Sequence, residues 1–195
     1  KTLLLLASLL LSLPASATEL TSSGFDVTFH IAHPAKEYDS PLLPGGGVAT
    51  LHVDRADFGK STVDCVIQVG QFNSSNTRRD SHMLETMEAL IFPKITWKVG
   101  SIGLSGPLTP GTHQTFASGP LTIRDKTQDL KAPVTLTVTE DGAITVESSF
   151  SVSLESYGVD RPTLLFVPIE DEVPIRVKVT FPADASVFAP APTPA

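Results

Sequence analysis

The chain has 195 residues, with 14 Lys and Arg against 21 Asp and Glu and a formal charge of −7. That excess of acid argues against nucleic acid or an anionic membrane surface as the main partner, because both are held by clustered cations. The pairs Arg78-Arg79 and Arg176/Lys178 are too sparse to make such a footprint. Cys65 is the one cysteine, so an intramolecular disulfide is excluded and the fold must rest on its core.

In chain order, Lys1, the aliphatic residues 3–13 and Ala15-Ser16-Ala17 read as a secretory signal peptide cut after Ala17. Its apolar run is about a dozen residues, short of the roughly 20 a membrane-crossing helix needs, so stable membrane insertion is not expected. Residues 18–182 should form one domain, periplasmic or secreted, and residues 183–195 a Pro/Ala-rich disordered tail.

Within the domain, apolar residues alternate with polar ones, which marks half-buried strands. Phe25, Val27, Phe29 and Ile31 share one face of a first strand, opposite Asp26, Thr28 and His30. After the turn-forming Pro44-Gly45-Gly46-Gly47 come Ala49, Leu51 and Val53, then Val63, Cys65, Ile67 and Val69, then Ile95, Trp97 and Val99. Residues 116–123 give a fifth strand, and Val134, Leu136 and Val138 a sixth. Asp141-Gly142 reads as a two-residue type I′ hairpin turn. Ile144, Val146, Phe150, Val152 and Leu154 form a long seventh strand, and Val173, Ile175, Val177, Val179 and Phe181 an eighth. Eight sequential one-sided strands fit a closed antiparallel barrel that encloses one small ligand, while a two-sheet sandwich fits the same period.

One segment breaks the alternation. Over residues 81–91, Met83, Leu84, Met87, Leu90 and Ile91 make one helical stripe, with Asp80 placed to cap the start and Pro93 to stop the end. This short helix between strands three and four should lay its Met- and Leu-rich face on the barrel, over its mouth.

Little in the sequence speaks for catalysis. Asp80, Ser81 and His82 are the residue types of a hydrolase triad, yet three consecutive residues at a helix start point in different directions. No nucleophile elbow or phosphate loop is present. Of the five histidines, His30 and His33 fall on opposite faces of a strand and none forms a metal-binding pair, so no metal is expected. Cys65, alternating with Val63 and Ile67, reads as a small buried side chain.

Two stretches bring a family into view. Residues 76–83, containing Arg79-Asp80-Ser81-His82-Met83, and Ile91-Phe92-Pro93-Lys94-Ile95-Thr96-Trp97 resemble the helix and following strand of the YceI-like family. Gly119-Pro120-Leu121-Thr122-Ile123-Arg124 with Thr127, the run 133–138, Tyr157-Gly158-Val159 and the final strand extend the likeness over residues 24–181. Asp125 stands where that family's motif usually carries Gly, and Asp tolerates left-handed turn geometry.

The resemblance implies an all-β, eight-stranded, lipocalin-like barrel in the periplasm. It would bind, store or transport a long-chain polyisoprenoid or similar amphiphile, such as a quinone or prenyl phosphate, with no other cofactor and no enzymatic activity. The alternatives are an enzyme acting on such a lipid, or a structural or stress-response module with no lumen. The chain is also open to pairing as a homodimer. At about 0.8 kcal/mol per buried CH₂, an isoprene unit contributes at most roughly 4 kcal/mol, against an association cost on the order of 4–15 kcal/mol, so long chains are favoured. Candidate lining residues on the first three strands and the helix are Phe29, Val63, Ile67, Met83 and Met87. Farther along they are Phe92, Trp97, Leu121, Phe150, Leu154, Leu164 and Phe166. Arg79 and His82, at the helix start, are candidates for a polar or pyrophosphate head group.

Overall fold

The computed structural model describes residues 18–188. Strands rich in Val, Ile, Thr and Phe account for most of them, as the alternation requires. In chain order they are β1 (Thr18–Thr21), β2 (Gly24–Ile31), β3 (Tyr38–Pro41), β4 (Gly47–Val53), β5 (Thr62–Gln68), β6 (Lys94–Val99) and β7 (Ser101–Ile102). There follow β8 (Gly111–Ile123), β9 (Lys126–Val138), β10 (Ile144–Ser153), β11 (Thr163–Leu164), β12 (Val167–Pro168) and β13 (Glu172–Phe181). Among the described residues there is one α-helix, α1 (Thr77–Thr86), between β5 and β6.

The main sheet is antiparallel, in the order β1-β4-β5-β6-β8-β9-β10-β13-β2-β3. β1 and β2 are two parts of one segment, broken only at Ser22-Ser23, where Ser23 N–H donates to Thr180 O at 2.8 Å. Its first part pairs with β4 and its second with β13, so the two ends of the sheet meet on that segment and the wall curls into a barrel. Counting the segment once, eight long strands make the wall, in keeping with the sequence pattern. The short strands β3, β7, β11 and β12 are additions that alternation over so few residues does not reveal. Leu42 N–H donates to Val27 O at 2.7 Å, and Leu43 N–H to Gln71 O at 2.8 Å, so the connection after β3 covers the seam where β2 leaves β4.

Strand direction sorts the connections into two ends. The lower end carries the links 54–61, 100–110 and 139–143 and the segment 182–188; the upper end carries 32–37, 69–93, 124–125 and 154–171. The lower half is filled by one core cluster that includes Leu20, Leu51, Phe58, Val99, Ile144 and Phe181. Val187, fully buried in a 3₁₀ turn at Ala185–Phe188, joins it. Residues 183–188, expected to belong to a disordered tail, are therefore packed on the barrel, because Val187 supplies the apolar anchor that the Pro/Ala composition concealed. The expected signal peptide and residues 189–195 lie outside the described residues.

The hairpin at Asp141-Gly142 is looser than the expected two-residue type I′ turn. Only Gly142 has positive φ, at 85°, and Thr139 N–H donates to Ala143 O at 3.0 Å, so three residues make the loop. A Cβ on Gly142 would stand 2.3 Å from the carbonyl oxygen of Asp184, which ties this loop to the C-terminal plug. At the β8–β9 turn the positive φ, 55°, falls on Arg124 and not on Asp125.

Two prolines shape the upper end. Pairing of β9 with β10 ends at Val134↔Ser148, and pairing of β13 with β2 ends at Ile175↔Phe29. The next residues, Pro133 and Pro174, offer no N–H to continue either ladder. Ser148 Oγ donates to the free Pro133 carbonyl at 2.7 Å. Above these points β10 and β13 pair with each other alone, which widens the barrel there.

Candidate functional site

The widened upper half encloses a cavity of about 910 Å³. Its deep wall is apolar and comes from alternate residues of many strands: Val27, Phe29, Ile31, Ile67, Leu121, Ile123, Phe150, Val152 and Ile175. Several of these, such as Phe29, Ile67, Phe150 and Ile175, are only half-buried although they point inward, because they face the lumen in place of a packed neighbour.

α1 crosses the mouth. It starts at Asn76, whose side-chain oxygen accepts from Arg79 N–H at 3.1 Å, so Asn76 is the cap where Asp80 had been expected. Asp80 is one turn inside and instead accepts from Ser74 N–H at 2.9 Å and Ser74 Oγ–H at 2.6 Å. The helix is shorter than the sequence stripe suggested. After Met87 the chain turns at Glu88, with φ of 48°. Glu88 N–H donates to Glu85 O at 3.0 Å and Ala89 N–H to Leu84 O at 2.9 Å, the bond pair that closes a helix around a left-handed residue.

That residue is usually Gly; here Glu88 is held by an ion pair with Arg124. Arg124 also donates to the Gly158 carbonyl at 2.7 Å and stands 6.0 Å over the Phe92 ring. One guanidinium thus ties the helix end to the β8–β9 turn and to the connection after β10. Leu90 and Ile91, beyond this break, are exposed and do not extend the apolar stripe.

No residue of α1 is fully buried, so its inward side spans open space and does not pack as core. Met83 and Met87 face the lumen, with Arg78, Arg79, His82 and Glu85 around them at the mouth. Arg79 lies 4.2 Å over the Tyr38 ring and donates from Nε to Ser74 Oγ at 3.2 Å and from Nη2 to Ser74 O at 2.7 Å. Burial raises the Tyr38 phenol above its ordinary value, an effect that the neighbouring Arg79 guanidinium opposes and Asp80 reinforces. The Tyr157 phenol, also on the cavity wall, is raised by burial. Both phenols therefore keep their protons at the edge of an apolar space.

Of the residues singled out from sequence, Phe29, Ile67, Met83, Met87, Leu121, Phe150 and Leu154 line this cavity, with Arg79 and His82 at its mouth. Four lie elsewhere. Val63 shares a face with Ile67 but sits lower, against the packed core. Trp97 is half-buried between the core and the lumen, donating from Nε1 to Gly119 O at 3.1 Å, with its ring 6.1 Å from Phe150. Phe92 lies under Arg124 outside the cavity, and Phe166 is fully exposed at a hairpin tip. The side chain of Leu164 lies outside the described residues.

Sequence reasoning missed the mouth residues His33, Lys36, Tyr157, Val159, Pro162 and Ile169, contributed by the connections, and Tyr38, at the start of β3. The length of the 154–171 connection was the one signal, since a long connection in a compact domain is usually functional. Arg78, exposed at the mouth, makes no ion pair among the described residues. Among the described residues, no helix is long and apolar enough to cross a membrane and no three metal-ligating side chains cluster.

A lipocalin-like barrel, packed at one end and hollow and apolar at the other, defines a class of small-ligand-binding folds. The model of the YceI-like domain matches residues 19–181, and the chain belongs to that family. Solved structures share the fold at low identity. BcnA of Burkholderia cenocepacia is 16% identical with a TM-score of 0.64, over 80% of this chain and 95% of that one. A polyisoprenoid binding domain from Saccharophagus degradans, implicated in plant cell wall breakdown, is 13% identical with a TM-score of 0.66, over 86% and 99%. The Campylobacter jejuni YceI protein is 16% identical with a TM-score of 0.56, over 72% and 83%. No curated protein sequence matches the chain.

Proposed function

We propose that this protein is a periplasmic binder of a long-chain polyisoprenoid or similar amphiphilic lipid, with the tail in the lumen and the head under α1. The observation that carries this reading is the division of the cavity into an apolar depth and a polar mouth. A hydrocarbon chain gains from leaving water along the whole depth, while Arg78, Arg79, His82 and Lys36 remain near solvent for a polar or anionic head. The fold neighbour from Saccharophagus degradans, described as polyisoprenoid binding, points the same way.

Volume sets the tail length. At about 30 Å³ per water-sized group, the share such a group takes in a liquid, a lumen of about 910 Å³ holds about 30 heavy atoms, or about six isoprene units. We read the protein as a binder and not an enzyme. The apolar depth of the cavity, suited to burying a hydrocarbon chain, supports that reading.

Native mass spectrometry of protein made in its host, followed by solvent extraction, tests the proposal. The expected result is a co-purifying apolar mass of about that chain length. Ligand-free protein that also takes up no fluorescent prenyl probe would overturn it.

A further inference from the structure

The apolar surface that the lumen does not use is concentrated at the rim. Seven large hydrophobic residues are exposed among the described ones, and five of them fall in two short segments: Leu90 and Ile91 after α1, and Leu165, Phe166 and Val167 in the β11–β12 hairpin. Both segments belong to the upper end of the barrel, where the cavity opens. The bases of both border it, Thr86 and Met87 on one side and Pro162 and Thr163 on the other.

The hairpin holds its tip outward against local preference. Leu165 and Phe166 are the two central residues of a two-residue turn closed by Leu164↔Val167, and both have positive φ, 52° and 68°. Asn and Gly are the residues that suit such a turn, and a bulky side chain there is strained. Phe166 is nevertheless 101% exposed and Leu165 74%. The backbone below is fixed by Ile169 N–H to Pro162 O at 3.0 Å, by Glu170 N–H to Ala32 O at 3.0 Å, and by His33. His33 Nδ1 accepts from Ala35 N–H at 3.0 Å, which leaves Nε2 to donate to Val167 O at 3.2 Å. A strained, braced turn that displays its largest side chain to solvent is not accounted for by folding.

We propose that these two apolar points are shallow anchors that seat the cavity mouth on a phospholipid bilayer, an inference that rests on the reading of the lumen as a lipid site. A bilayer fits better than a protein partner because the points are separate and convex. A stable protein interface needs about 800 Å² of continuous complementary surface on each side, whereas fluid lipid closes around an isolated tip. Charge specifies the surface further. The hairpin 163–168 carries no charged residue, and the upper-end connections 32–37, 69–93, 124–125 and 154–171 carry five Lys and Arg against nine Asp and Glu, an excess of acid that an anionic surface would repel. The matching surface is therefore zwitterionic and not strongly anionic.

The test uses phosphatidylcholine vesicles and the double substitution Leu165→Asn with Phe166→Gly, the pair that the turn geometry favours. Wild-type protein should sediment with the vesicles. The variant should keep or raise its melting temperature, take up a fluorescent prenyl probe from vesicle-free solution as the wild type does, and partition onto vesicles roughly a hundredfold less. Equal sedimentation of variant and wild type, or no sedimentation of the wild type, overturns the proposal. So does a dimer in vesicle-free solution that the substitution dissociates, since the tip would then serve a second copy of the chain. Vesicle binding that depends on the tip while wild-type protein takes up no probe from solution would sink the lumen reading and leave the docking surface standing.

Discussion

Filling part of the lumen should shorten the longest chain it accepts without unfolding the protein. Ile175 lies on the inner face of β13, half-buried, between the two clusters that border the cavity. Ile175→Trp adds about six heavy atoms, which at about 30 Å³ each removes about 180 Å³ of the 910 Å³ available. That is the space of about one isoprene unit. At about 0.8 kcal/mol per CH₂, expelling one unit weakens a lumen-filling chain by up to roughly 4 kcal/mol, on the order of a thousandfold. A chain two units shorter should bind unchanged. Titration of a graded series of prenyl alcohols, followed by the fluorescence of the native Trp97 in wild type and by displacement of a bound probe in the variant, reads both effects. Thermal melting confirms that the barrel is intact, since the new ring enters open space and not packed core. If the variant binds the longest chain as tightly as wild type while remaining folded, the tail is not in this lumen.

Three further outcomes follow from the geometry. Gly142→Ala should destabilise the barrel by about 1–3 kcal/mol in urea melts, because the position has positive φ and a methyl group would meet the Asp184 carbonyl; an unchanged midpoint would contradict the described packing of the plug. Arg124→Met removes the ion pair to Glu88 and the bond to the Gly158 carbonyl, so amides of residues 84–92 should exchange faster, with a global cost of about 1–3 kcal/mol. Cys65 should resist maleimide at pH 8 in the folded protein and react once unfolded, since burial, aided by the nearby Asp64 carboxylate, pushes its thiol up to about 12; rapid labelling of the native state would place the thiol outside the core.

The wall of the barrel was legible because alternation reports directly which face of a strand is buried. It does not report height along the axis. Val63 and Ile67 share a face of β5, yet one lies in packed core and the other on the lumen, and nothing within the strand separates them. The helix ended early for a tertiary reason: Glu88 can occupy a glycine-like conformation because Arg124, from a distant hairpin, holds its carboxylate. The cap moved to Asn76 because Asn and Asp compete equally well on propensity, and bonding of Asp80 to Ser74 decided between them. The mouth was the least legible part, since the connections 32–37 and 154–171 have no periodicity to read. Phe166 illustrates the cost: its aromatic character suggested the interior, and only the turn backbone shows that it points away.

The solid floor beneath the hollow has a consequence for traffic. With Phe181, Ile144 and Val187 packed across the lower half, the described residues form a sleeve that opens at its upper end and is filled at the other. On the proposed reading, a lipid that enters tail first would leave head first through that same opening, so any donor and acceptor would have to take turns there.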